Sequence, residues 1–326
     1  MNNSVPILII AWRRPNIVQQ LIEAIRSIKP LHIYVACDGP NPINPEDAAK
    51  VAATRKMIDR EIDWTCEVKK LYNEENLGCR QGVTRAISWF FENVEEGIIL
   101  EDDCIPHPDF FNYCAELLKR YRNDTRIWSI CGSNFQLGKK RGNASYYFSI
   151  HGDSWGWATW RRAWKHYESA ETDWFSFRDS GRLNDVFPIV IERDYWKNIL
   201  DNLFINHSPS TWDYQWWLIC WMNNGLHVWP NSCLISNKGF GNDGTHTLTD
   251  DNIFASLLLE DIGELIHPKF ILPSRDADEF AFVHRRQGHS LIERERYGKL
   301  YPWIVRSREL RREGLFAYLS TRLFRK

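Results

Sequence analysis

Gly97-Ile-Ile-Leu-Glu-Asp-Asp-Cys-Ile-Pro106 decides how this chain is read. Ile98 to Leu100 form a short apolar, partly β-branched run, the pattern of a strand buried on both faces. Glu101, Asp102 and Asp103 follow directly. Three unpaired buried charges would each cost several kcal/mol, so the triplet belongs where the strand leaves the sheet. In an open α/β sheet that is the crevice where ligands bind. Hard carboxylate oxygens suit Mg²⁺ or Mn²⁺, metals that proteins commonly share with substrate phosphates. An isolated acidic triplet is also compatible with a solvated turn, so the neighbouring sequence has to decide.

Working outward from the triplet, strands and helices alternate. Val5 to Ala11 reads as a first strand, and Trp12-Arg13-Arg14-Pro15 as a loop. Asn16 is placed to cap an amphipathic helix from Ile17 to Ile28. Arg13 and Arg14 then lie at a strand end beside a helix N-terminus, a position suited to an anion. Leu31 to Gly39 is a second strand closing on Asp38, and Cys66 to Tyr72 a third. Helices are expected at Val83–Asn93 and Phe110–Tyr121. This alternation predicts a mostly parallel sheet with helices on both faces. Further strands are expected at Ile127–Asn134 and Tyr146–Ile150, with short ones at His227–Pro230 and Cys233–Ile235. A helix opening near Trp212-Asp213 ends at Asn224-Gly225.

The bulk composition narrows the function classes. The chain has 326 residues, 44% of them hydrophobic, which is enough for one large domain. A net charge of −1 gives no global pull toward nucleic acid. Eight cysteines show no CxxC spacing and mostly lie in apolar segments, which reads as reduced core thiols in a cytoplasmic setting. No apolar run reaches the length of a membrane span. Neither GxGxxG nor GxxxxGK[ST] occurs, so dehydrogenase and kinase fingerprints are absent.

Sixteen tryptophans concentrate between residues 155 and 229. Around Trp155-Gly156-Trp157, indole faces could stack on sugar rings or fill an aromatic core. The glycine-rich stretch 237–246 reads as a loop that orders over a ligand, or as a plain surface loop. Residues 285–326 carry twelve Lys/Arg against four Asp/Glu. Leu315 to Phe324 in this tail is an apolar–basic helix candidate. It suits an anionic membrane surface, an oligomer contact or a solvated helix.

Taken in order, Pro6–Arg14, Cys37-Asp38-Gly39, Leu100–Asp103 with Pro108–Phe111, Trp155-Gly156-Trp157, Trp212-Asp213 and Lys238–His246 resemble one family. The chain is similar to metal-dependent GT-A glycosyltransferases of the N-acetylglucosaminyltransferase I type, over residues 5 to about 250. The tail from 268 lies outside the resemblance. Its implications are a Rossmann-like GT-A sheet, a donor-binding half at 1–135, an acceptor-binding half at 136–267 and a basic helical extension at 268–326. The implied reaction is inverting transfer of GlcNAc or another hexose from a UDP-sugar to a glycan or lipid-linked acceptor, with Mn²⁺ or Mg²⁺. Asp103 matches the direct metal ligand, and Asp102 and Glu101 face ribose and donor sugar. Arg14, with Arg13 as its substitute, matches the diphosphate-binding arginine. Asp38 matches the acid contacting uracil, and Asp213 the general base. Trp155 and Trp157 are sugar-platform candidates, and the loop bearing Lys238 and His246 closes on the donor. Family members of this type usually carry a membrane anchor, and the chain reads instead as a bacterial-style cytoplasmic relative. Two other classes compete. A silent carbohydrate-binding protein would keep the tryptophans and lose the metal site. A sugar nucleotidyltransferase would want a glycine-rich, lysine-bearing loop where Trp12–Pro15 stands.

Overall fold

The computed structural model describes residues 4–205, 211–239, 254, 257–286, 288–300 and 302. Its elements are β1 (Ile7–Ala11), α1 (Pro15–Arg26), β2 (His32–Cys37), α2 (Asp47–Glu61), β3 (Glu67–Tyr72), α3 (Gly78–Asn93), β4 (Glu96–Glu101), β5 (Cys104–Pro106), α4 (Pro108–Tyr121), β6 (Ile127–Cys131), β7 (Tyr146–Ser149) and β8 (Trp157–Trp160). They continue with α5 (Arg161–Trp164), α6 (Ala170–Asp179), α7 (Leu183–Val186), α8 (Val190–Ile205), α9 (Asp213–Met222), β9 (Leu226–Pro230), β10 (Ile235–Asn237), α10 (Arg275–Arg285) and α11 (Gly288–Tyr297).

Eight strands form one mixed sheet in the order β3-β2-β1-β4-β8-β6-β9-β7. β3, β2, β1 and β4 run parallel, β8 enters antiparallel between β4 and β6, and β7 closes the far edge antiparallel to β9. The period-2 alternation of β1 and β2 sends their residues to two cores. Ile7, Ile9, Ile33 and Val35 meet α1 and α4 residues such as Leu21, Ile25, Phe110 and Leu117 on one face. Leu8, Tyr34 and Ala36 meet α3 and the tryptophan-rich helices on the other. The expected α/β sheet flanked by helices is the observed architecture. Both nominal halves feed it, because β7, β8 and β9 lie in the same sheet as β1.

Local boundaries differ in instructive ways. Asn16 does not cap α1; Arg14 holds the N-cap position and Pro15 starts the helix. Proline's fixed φ and missing N–H suit the first helical position. α3 begins earlier than its apolar pattern, at Gly78, because the Asp38 side chain just beyond β2 holds the amides of Leu77 and Gly78. Asn224 turns α9 off in the left-handed region, at φ +53°, which asparagine tolerates. The first part of the basic extension packs back on the body. Pro273 bridges to Phe148 of β7, and the Ser149 hydroxyl donates to Asp278 of α10 at 2.5 Å. The Leu315–Phe324 helix candidate lies outside the described residues. All eight cysteines are free thiols. Among the described residues no helix is long and apolar enough to cross a membrane.

Candidate active site

A cavity of about 660 Å³ opens at the C-terminal ends of β1, β2, β3 and β4. Its lining includes Ala11, Cys37, Leu71 and Glu101 from those strand ends. β1 sits between β2 on one side and β4 on the other, and the chain leaves it toward β2 first. That reversal is the topological switch point where open α/β sheets leave room for a ligand.

The acidic triplet occupies this place. Glu101 ends β4, and Asp102 and Asp103 form the turn into β5. All three line the cavity. Arg14 reaches across from the start of α1, and its Nη1 donates to Asp102 Oδ1 at 3.0 Å and Asp103 Oδ2 at 3.1 Å. The Trp12 backbone N–H also donates to Asp102 Oδ2, at 3.4 Å. Burial and then the Asp103 charge push Asp102 up to about 7, against the pull of Arg14. Burial and its acidic neighbours, Asp103 first, hold Glu101 well above the usual carboxylate range. One guanidinium thus faces three carboxylates, and Asp213 adds to the charge felt at Glu101. A further cation would relieve this excess.

The strand pairing of β5 with β10 covers the triplet with backbone. The Lys238 N–H donates to the Asp103 carbonyl at 2.8 Å. Gly239 follows, its N–H donating to Asn237 Oδ1 at 2.7 Å. A Cβ at position 239 would stand 2.2 Å from Asp103 Oδ2. The glycine therefore leaves room at this oxygen that any other residue would fill. Hard oxygen donors, surplus negative charge and this cradle together fit a divalent cation held by Asp103 with its neighbours. His107, Asp109 and Asp261 form a second group whose ligand atoms lie within 4.8 Å of one another, and none of the three lines the cavity.

Trp155, Trp212, Asp213 and Tyr214 also line the cavity. Asp213 opens α9, where the helix dipole favours a carboxylate. Burial nonetheless raises its pKa, with the Arg286 charge pulling the other way. Cys79, at the start of α3, is pushed up to about 12 by burial and then Glu101, so it stays a neutral thiol.

The site also corrects the residue assignments. Arg13 does not enter the cavity; its guanidinium pairs with buried Asp47 at the start of α2 and lies 4.3 Å from the centre of the Trp12 ring. It cannot substitute for Arg14 there. Trp157 is no sugar platform. It is fully buried in β8, stacked on Trp212 at 5.7 Å and packed against Trp164 and Trp216, so both faces are used inside the protein. Gly156, at φ +59°, serves packing rather than a ligand, since a Cβ there would meet Ile235 at 2.4 Å. Trp155 does line the cavity and is only half-buried. Lys238 contributes its backbone while its side chain is exposed. His246 lies outside the described residues.

Asp38 lines the cavity, but its carboxylate is occupied. It accepts from the backbone of Gly39, Leu77 and Gly78 and from the side-chain amides of Asn73 and Asn76. A carboxylate offers about four acceptor sites, so Asp38 is a clamp for the start of α3, not a free group for a base. Its clamping exposes a residue that the strand pattern did not single out. Asn73 follows β3 directly and is 8% exposed. Its Nδ2 donates to Asp38 at 3.0 Å, and its Oδ1 has no partner although it is buried in the cavity wall. Because the Asp38 carboxylate accepts, the amide is oriented with Nδ2 toward it, which leaves Oδ1 as a buried acceptor without a partner. Its position at a strand's C-terminal end was the available signal.

The fold and site therefore define an open α/β protein with an acid-lined, cation-suited cavity at its switch point. No family model matches the chain, and no curated protein matches it. Solved structures give distant likenesses. A cytidylyltransferase from Leptospira borgpetersenii serovar Hardjo-bovis is 14% identical, with a TM-score of 0.32 over 51% of this chain and 64% of the other. The chain thus spans about two thirds of that enzyme's length. The galactosyltransferase LgtC, in complex with donor and acceptor sugar analogues, is 12% identical with a TM-score of 0.31, covering 72% and 74%. An active-site mutant of LgtC gives 11% and 0.33, covering 85% and 94%. Likeness of this degree does not extend to activity.

Proposed function

We propose that the protein is a metal-dependent inverting glycosyltransferase that uses a nucleotide sugar, with UDP-GlcNAc or another UDP-hexose as donor and a glycan or lipid-linked glycan as acceptor. The observation that carries this reading is the joint placement of the Arg14–Asp102–Asp103 group and Asp213 around one cavity. In place of Asp38, Asn73 at the end of β3 is the acceptor for a base N–H, once a side-chain movement exposes its buried, unpartnered Oδ1. Asp103, with Asp102 and Glu101 beside it, would hold Mn²⁺ or Mg²⁺. When bound, such a cation neutralises charge that develops on the departing diphosphate. Arg14 keeps the two aspartates in register and places a fixed positive charge beside them. Asp213 accepts the proton of the attacking hydroxyl, and burial, which raises its pKa, makes it a stronger base than an ordinary aspartate. A single carboxylate base with in-line attack gives inversion. Trp155 offers an indole wall to a sugar on this side.

The test is incubation of the protein with a panel of nucleotide sugars, Mn²⁺ and glycoside acceptors. Release of nucleoside diphosphate that needs Mn²⁺ and falls in Asp213→Asn supports the reading. Pyrophosphate release from a nucleoside triphosphate and a sugar phosphate would indicate a nucleotidyltransferase instead. Binding without any release would indicate a silent carbohydrate-binding protein.

A further inference from the structure

Beyond residue 268 the chain falls outside any resemblance, yet this part supplies a buried side chain behind the acceptor wall. Arg285 ends α10. Its Nη2 donates to Asp153 Oδ1 at 2.6 Å, and both side chains are largely withdrawn from solvent, at 15% and 2% exposure. The other oxygen, Asp153 Oδ2, accepts the backbone N–H of Trp155 at 3.2 Å. The guanidinium also lies 3.5 Å from the centre of the Phe135 ring and 5.4 Å from that of Trp155. Phe135 in turn meets Trp155 edge-on at 5.2 Å. One planar cation thus meets Asp153, Phe135 and Trp155 together, while the Trp155 carbonyl is held separately by the Ser133 hydroxyl at 3.2 Å. The neighbouring Gln136 is tied to the same helix through the Ala277 carbonyl at 3.2 Å. Ser154 and Trp155, the residues so held, line the same cavity as the acidic triplet.

We propose that Arg285 is a positioning residue that holds Trp155 as the acceptor-side wall of the cavity, so that the C-terminal helix completes acceptor recognition. Its bearing on acceptor sugars rests on the transferase reading, whereas the hold on Trp155 does not. A buried ion pair is a costly way to fasten a loop when packed apolar residues would serve as well. It does fix direction: the fork sets Asp153, Asp153 sets the Trp155 amide, and the flat face sets Phe135 against the indole. Lysine keeps the charge but has neither the fork nor the flat face.

The experiment uses the full chain labelled with 5-fluorotryptophan, with the Trp155 resonance assigned by Trp155→Phe. Arg285→Gln/Asp153→Asn removes both charges together, leaving no unpaired buried ion, and Arg285→Lys serves as the second variant should the pair fail to fold. Binding of UDP with Mn²⁺, read by thermal shift, reports that the donor side is intact. The expected result is a displaced or broadened Trp155 resonance. In transfer to p-nitrophenyl glycosides, KM for the glycoside should rise about fivefold with kcat within about twofold, the scale of one weakened aromatic contact. A merely structural Arg285 would lower the melting temperature and leave both readouts unchanged; that result in a folded variant overturns the inference. A displaced resonance in a protein that transfers no sugar would retain the hold on Trp155 and sink the transferase reading instead.

Discussion

Gly239→Ala tests how closely the geometry of the acidic turn is tied to cation binding. The new Cβ would sit 2.2 Å from Asp103 Oδ2 and 3.0 Å from Asn237 Oδ1. Asp103 Oδ2 is the free end of a side chain, so the collision is relieved by rotating the carboxylate, not by moving backbone. The backbone should therefore stay in place. The rotated oxygen, however, is the one that Arg14 holds at 3.1 Å. Losing a charge-assisted hydrogen bond is worth about 1.5–3 kcal/mol. If that carboxylate must return to its place for the cation to bind, affinity falls by about 10- to 150-fold at 1.4 kcal/mol per tenfold. Isothermal titration of Mn²⁺ with UDP, beside a melting curve, measures both quantities. The same lost bond also acts on folding, so a melting temperature lower by about 3–12 °C is expected, on the scale of 2–4 °C per kcal/mol for larger domains. Unchanged Mn²⁺–UDP affinity in the alanine variant would refute the argument that Asp103 Oδ2 is held in place for a cation.

Three other expectations follow from the same geometry. Asp213 works as a base only when ionised, and burial raises its pKa while Arg286 lowers it; kcat should therefore fall as pH drops through a limb above the ordinary aspartate range, and Arg286→Gln should move that limb further up, as read from pH–rate profiles with saturating Mn²⁺. Asn73→Ala removes the lone acceptor at the end of β3 and frees one bond on Asp38, so nucleotide affinity should drop about 5- to 30-fold, as read by UDP titration, with transfer of the bound sugar largely preserved. Trp157→Ala empties a site between Trp164, Trp212 and Trp216; chemical denaturation should show a loss of about 3–5 kcal/mol, whereas a nearly neutral effect would contradict its place in the core.

Much of the cavity around the acidic triplet is legible in the sequence because strand ends and hydrophobic periodicity are local signals. The run Ile98–Leu100 before Glu101-Asp102-Asp103 places the acids at a strand end, and the structure puts them in the cavity at the switch point. Arg14 is legible for the same reason. The distinction between Arg13 and Arg14 is not, because it depends on Asp47, which lies 34 residues away and claims Arg13. Asp38 misleads in the same way: a strand-end acid reads as a ligand until the amides of Leu77 and Gly78 fold back on it. Trp155 and Trp157 are two residues apart in one motif, yet one lines the cavity and the other is core. Their separation comes from β8 pairing with β4 and β6, which buries Trp157 among helices that the local sequence does not announce. The reach of Arg285 to Asp153 and of Arg286 to Trp217 arises from tertiary packing of a segment whose composition alone reads as a basic tail.

The central claim is that Asp103 grips a cation which in turn grips a nucleotide. The most direct measurement is UDP affinity with and without Mn²⁺ in the parent protein and in Asp103→Asn, which keeps the shape and removes the charge. The parent should bind UDP much more tightly with Mn²⁺, and the variant should lose that gain while still binding UDP weakly at the Asn73 end. An Asp103→Asn protein with the parent's full Mn²⁺ dependence would contradict the account.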